Sequence, residues 1–297
     1  MTTQETTTQS MHRGGFQRRE YRPDQVKPRS IHFEFPHDIP RFYVGGSPVK
    51  THIMNGLNLF VPHFERMMVR LFRSHIIPRL KDPRLIEQAR GFMLQEGSHA
   101  KAHTQYFENL RSLGYDIDGF LRLVQWLLGE RFEGRLGPKL ALSAVAAFEH
   151  YTDVMVLLIL QGDFLEGCDP RMRELFAWHV AEEIEHNAVA YEMLRQIDDG
   201  QALRMAGNVL GLVTLFGLTL MGMAELLRQD GKLFTRETAR ELRDIFFTKH
   251  RLLPDVVELF KHYARRDYHP NDADYSPLAR AVLDPDDAPV SSIRRAA

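Results

Sequence analysis

Apolar side chains recur three and four positions apart along most of the chain, the period of a helix that buries one face. Alternation with a period of two is scarce, and Ile31–Phe35 is the one short stretch that reads as a strand. Four long helices are predicted. The first runs from about Ser47 to Ile77, and Pro62 should kink it, since proline lacks the N–H that the helix needs. The second opens at Asp82-Pro83, an N-cap followed by proline at the first helical position, and stops at Gly114. The third starts at Gly137-Pro138 and ends near Gly162; the fourth starts at Asp169-Pro170 and ends near Asp199-Gly200. A shorter helix, about Asp118 to Glu133, lies in the connection between the second and third. Beyond Gly200 come a very apolar helix, about Ala202 to Arg228, and two more, about Arg236 to Thr248 and Pro254 to Arg265.

The pattern predicts an all-α protein: a four-helix bundle over residues 31–200, with C-terminal helices over 201–268 packed on it. Residues 1–30 are Thr/Gln-rich and then Arg-rich, with no apolar run. They read as a flexible solvated arm and not as a secretory signal. Residues 269–297 are rich in Pro and Asp and read as a tail.

Composition narrows the function classes. The 38 Lys+Arg and 39 Asp+Glu leave a net charge of -1, which argues against a nucleic-acid binder. The single cysteine, Cys168, rules out an intramolecular disulfide and a thiolate zinc cage, and fits a reducing, cytoplasmic setting. Met205 to Ala224 carries no charge. It suits a helix buried on all sides, a homodimer interface, the lining of an apolar tunnel, or a membrane contact over 205–224. Gly207 and Gly211 within it have the small-residue spacing that lets helices approach closely.

Of the 14 histidines, a few are placed with purpose. The second helix carries Glu96-x-x-His99 and the fourth Glu183-x-x-His186; residues three apart share a helix face. Both helices open Asp-Pro-Arg, and each Glu lies 14 residues after its capping Asp, so the two motifs look like copies of one repeat. The first and third helices each offer one acid among apolar neighbours, Glu65 and Glu149. A lone buried carboxylate costs several kcal/mol or loses its charge, and a metal removes that cost. One Glu from each of two helices plus Glu-x-x-His from each of the other two is the ligand set of ferritin-like di-iron and di-manganese bundles. Four carboxylates balance two divalent cations, so the cofactor expected is two iron ions, with manganese as the substitute. His103 and His179 lie one turn from the motifs on the same face, as extra ligands, hydrogen-bonding supports or proton carriers in catalysis. Asp153 is a further candidate to orient a ligand, and Glu182 is an alternative ligand to Glu183.

At these residues the chain resembles the bacterial family of predicted metal-dependent hydrolases, over roughly Ile31 to His269. The blocks that carry the resemblance are Pro40-Arg41-Phe42-Tyr43-Val44-Gly45-Gly46, Thr51-His52 with Asn55, Pro62-x-x-Glu65-Arg66, Asp82-Pro83, Gln95-Glu96-x-x-His99-x-x-x-His103 and Glu182-Glu183-x-Glu185-His186. The family has glycine where this chain has Phe64, just before the first Glu.

Three functions stand side by side. The carboxylate-rich site favours an oxidoreductase that activates O₂, takes electrons from a donor and oxidises an apolar small molecule. The family resemblance implies a two-metal hydrolase, with His103 or His179 as general base. The third is non-enzymatic metal handling, which the long apolar stretch keeps open through membrane association.

Overall fold

The computed structural model describes residues 26–29 and 31–284. The helices are α1 (Pro48–Leu71), α2 (Pro83–Gln105), α3 (Phe107–Ser112), α4 (Asp118–Trp126), α5 (Pro138–Tyr151), α6 (Asp153–Met155), α7 (Pro170–His186), α8 (Val189–Ile197), α9 (Gln201–Gln229), α10 (Arg236–Arg243), α11 (Leu252–Ala264) and α12 (Ser276–Leu283). The protein is all-α, as its periodicity predicts. Helix starts follow their caps: Asp82 accepts from the Arg84 N–H at 2.9 Å and Asp169 from the Arg171 N–H at 3.0 Å, each with proline next in line. Ser47 does the same for Lys50 at the start of α1.

Differences from the pattern have local causes. Three expected helices are each interrupted, at Tyr106 between α2 and α3, at Thr152 between α5 and α6 and at Asn187-Ala188 between α7 and α8. Apolar periodicity runs on across these breaks, so pattern alone joins them. π-helical turns occupy Phe72–Ile76, Leu127–Glu133, Val156–Gln161 and Asp244–Thr248, where a three-to-four period cannot distinguish them from α-helix.

Ile31–Phe35 is not a strand. Among the described residues it has no strand to pair with, and its aromatics reach helices instead: Phe33 lies 5.1 Å from Trp178, and Phe35 lies 5.5 Å from Tyr106. Among the described residues one β-bridge forms, joining Val44 to Cys168, beside hydrogen bonds from Gly45 N to Gly167 O (3.2 Å) and Asp169 N to Tyr43 O (2.9 Å). This clasp ties the start of α1 to the start of α7. It needs glycine at 45, where φ is +55° and a Cβ would sit 2.9 Å from the Glu166 carbonyl oxygen.

The tail expected from residue 269 is instead folded as far as 284. The prolines and aspartates there are caps: Asp272 and His269 form a capping box, Asp274 accepts from Ser276 N, and α12 packs on α7. Residues 285–297 lie outside the described residues, as do residues 1–25 of the expected arm. In residues 26–29, Val26 lies over Gly91 of α2, while Lys27 and Pro28 are exposed.

Helix α9 is not buried on all sides. It packs on α1 and α5 through small residues. A Cβ on Gly207 would fall 2.1 Å from Ser143 Oγ, and one on Gly211 would fall 2.7 Å from the Ala144 oxygen. Its outward positions are apolar and exposed: Val209 (51%), Val213 (61%) and Met221 (46%). By length and composition, 138–161 and α9 are both long and apolar enough to cross a membrane, and the first is mostly buried within the protein.

Candidate metal centre

Helices α1, α2, α5 and α7 bring Glu65, Glu96, His99, Glu149, His179, Glu183 and His186 together. All are buried except His179, which is partly so. They form two adjoining groups whose offered ligand atoms lie within 4.8 Å of one another: Glu65, His99 and His179, and Glu96, Glu149, Glu183 and His186. Glu183 joins them. Its Oε1 is 2.8 Å from His179 Nε2 and 3.7 Å from His99 Nδ1, and its Oε2 is 3.3 Å from His186 Nε2. Glu96 also reaches both sides, 3.1 Å from His186 Nε2 and 3.9 Å from His99 Nδ1.

The donor set fits a pair of divalent cations. Both oxygens of Glu65, Glu96 and Glu149, and Nδ1 of His99, are buried without an aligned hydrogen-bond partner. Such orphans are expensive in a protein interior, and here they converge on one place. Each histidine has its outer nitrogen engaged and its inner nitrogen facing carboxylates. His99 donates from Nε2 to Glu182 at 3.0 Å, leaving Nδ1 toward Glu65, Glu96 and Glu183. His186 donates from Nδ1 to the Gln95 side-chain oxygen at 3.0 Å, leaving Nε2 within 3.3 Å of Glu96, Glu149 and Glu183 oxygens. His179 meets His103 at 2.5 Å through Nδ1, and His103 meets Asn58 Oδ1 at 2.5 Å, so His179 presents Nε2 to Glu65 and Glu183. A lone pair aimed at carboxylate oxygens is repulsive unless a proton or a metal ion lies between them.

Protonation follows the same geometry. Burial works to lower the His99 imidazolium, but its hydrogen bond to Glu182 and the nearby carboxylates of Glu96 and Glu65 outweigh this and push its pKa up to about 10. His186 is raised well above the ordinary histidine value: burial opposes the nearby carboxylates of Glu183, Glu149 and Glu96, and loses. Burial drives Glu65 and Glu149 well above the usual carboxylate range. Glu183 goes the other way, because His186 and His179 overcome the effect of burial. Without metal the cluster therefore holds protons, which divalent ions would displace.

All six ligands expected from the sequence come together, and His179 joins them. His103 lies behind His179. Glu182 supports His99 from behind. Asp153 lies away from the cluster, 3.8 Å from His150. The supporting pairs cross over between the two repeats: Glu182 stands just before Glu183 but holds the histidine of the other motif, and Gln95, just before Glu96, holds His186. Sequence reading missed Gln95 as a support. The signal was its place in the repeat, equivalent to that of Glu182. The repeat also locates the asymmetry. Four residues before Glu183 stands His179, stacked on His99 at 4.2 Å; four before Glu96 stands Phe92, edge-on to His186 at 4.3 Å.

Fold and site thus define an all-α protein whose core holds a carboxylate–histidine cluster able to bind metal. The chain belongs to the family described as predicted metal-dependent hydrolase, whose model matches residues 27–274. No curated protein and no solved structure matches it.

Proposed function

We propose that the protein is a ferritin-like dinuclear iron enzyme that activates O₂ to oxidise an apolar small molecule. Glu183 and Glu96 would be shared between the ions, with Glu65, His99 and His179 completing one shell and Glu149 and His186 the other. Iron held in this way supplies two electrons to O₂ and oxidising power toward a substrate beside it. The chain's own residues orient the ligands and keep water out. His103, fixed by Asn58, sets the ring of His179.

The observation that carries this reading is the cavity beside the cluster. Its volume is about 30 Å³, and only His179, Glu183 and Thr152 interrupt a lining of Leu57, Val61, Phe148, Met155, Phe176, Val180 and Leu215. It shares Leu57, Met155 and Leu215 with a second apolar cavity of about 40 Å³. Space of this size and polarity suits a diatomic gas. The second reading, favoured by the family's description, is a hydrolase whose ions act as Lewis acids on a carbonyl or phosphoryl group.

Loading metal-free protein with iron or zinc separates the two. Reduced iron-loaded protein is expected to consume O₂ while zinc-loaded protein stays inert. Zinc-loaded protein that cleaves ester or phosphate substrates as fast as the iron form, without O₂, would overturn the oxidative reading.

A further inference from the structure

The N-terminal segment reaches the metal centre through one side chain. Arg29 forms a two-pronged contact with Glu185, Nη1 to Oε2 and Nη2 to Oε1, each at 2.8 Å. Its Nη1 also donates to Glu182 Oε1 at 3.2 Å. Glu182 is the acceptor behind His99. Glu185 Oε2 accepts from Gln95 Nε2 at 2.9 Å, and Gln95 is the acceptor behind His186. One guanidinium therefore closes both supports, Arg29–Glu182–His99 and Arg29–Glu185–Gln95–His186. The segment is pinned beside it: the Lys27 carbonyl accepts from Gln95 Nε2 at 3.3 Å and from Arg29 Nη1 at 3.1 Å, and Val26 covers Gly91.

We propose that Arg29 is a positioning residue shared by both halves of the metal centre, and that the segment delivering it is part of that centre. Glu182 is fully buried, and Arg29 lies against it on the side away from His99 Nε2. Without Arg29, Glu182 keeps the His99 N–H as its partner among the described residues, and the carboxylate that orients the ring is no longer held in place. Without the fork, Glu185 no longer aligns the Gln95 amide, whose oxygen sets which nitrogen of His186 faces the ions. A fork suits the task because it fixes two carboxylates at once, which an ammonium does not.

The inference rests on the dinuclear reading, and cobalt(II) alone tests both. Metal-free wild-type protein is titrated with cobalt in competition with a chelator, and the visible spectrum is followed. Arg29→Gln is expected to take up cobalt about 10–100-fold more weakly, with an altered spectrum. Arg29→Lys should fall between the two, and it carries the test if the Gln variant does not fold. Arg41→Gln, which removes a comparable pair with Asp230 far from the centre, should leave cobalt binding unchanged. Wild-type affinity and spectrum in an Arg29 variant overturn the role of Arg29 while leaving the dinuclear reading intact. Failure of the wild type to bind cobalt overturns both.

Discussion

His99, His179 and His186 are each fixed by a partner on the outer nitrogen, which leaves the other nitrogen facing carboxylates. The residues of the cluster are visible in the sequence because a helix makes three-residue spacing mean a shared face. The supports are less visible. Gln95 and Glu182 act across to the other helix, and Arg29 meets its acids from 153 and 156 positions away. No local period encodes such contacts. Asp153 shows the converse: good helical spacing from Glu149, but no place at the cluster. Burial pushes its carboxyl up to about 8, against 3.8 ordinarily, with His150, Tyr268 and Tyr275 around it. The folded protein thus keeps a proton that the unfolded chain releases. Stability should fall as pH rises from about 4 through 8, by up to about 1.4 kcal/mol per pH unit from this group. Asp153→Asn should flatten that slope in urea unfolding between pH 5 and 7.5; an unchanged slope would contradict the assignment.

At the scale of elements, the helix starts were legible because Asp-Pro pairs cap them chemically, and the ends and interruptions were not. The breaks at Tyr106, Thr152 and Asn187 and the π-helical turns keep the apolar rhythm while changing the hydrogen bonding. The folded stretch from residue 269 to 284 is not legible as such, because Pro and Asp serve equally in disordered chain and in capped short helices. In α9 the glycine spacing correctly indicated close packing, and the structure names the neighbour, α5, which carries Glu149. Gly211→Ala would bring its Cβ to 2.7 Å from the Ala144 oxygen and 3.0 Å from Phe148 N, where backbone must shift. A loss of about 1–3 kcal/mol is expected in thermal or urea unfolding. Gly217, in the same helix, faces open space, and Gly217→Ala should instead gain up to about 1 kcal/mol. Equal effects at the two positions would contradict the packing described for α9.

For the molecule as a whole, a net charge of -1 conceals a strong internal imbalance. Glu65, Glu96, Glu149 and Glu183 share one buried volume, where without metal protons on the cluster must offset their charge. Helices α1, α2, α5 and α7 enclose that volume, and the clasp joins the start of α1 to that of α7. Anomalous X-ray diffraction from crystals of protein expressed with ample iron tests this most directly. Two peaks are predicted, about 3.5–4 Å apart as in other two-metal sites. One should lie among Glu65, His99, His179 and Glu183, and the other among Glu96, Glu149, Glu183 and His186. A single peak, or none within this cluster, would contradict the dinuclear centre.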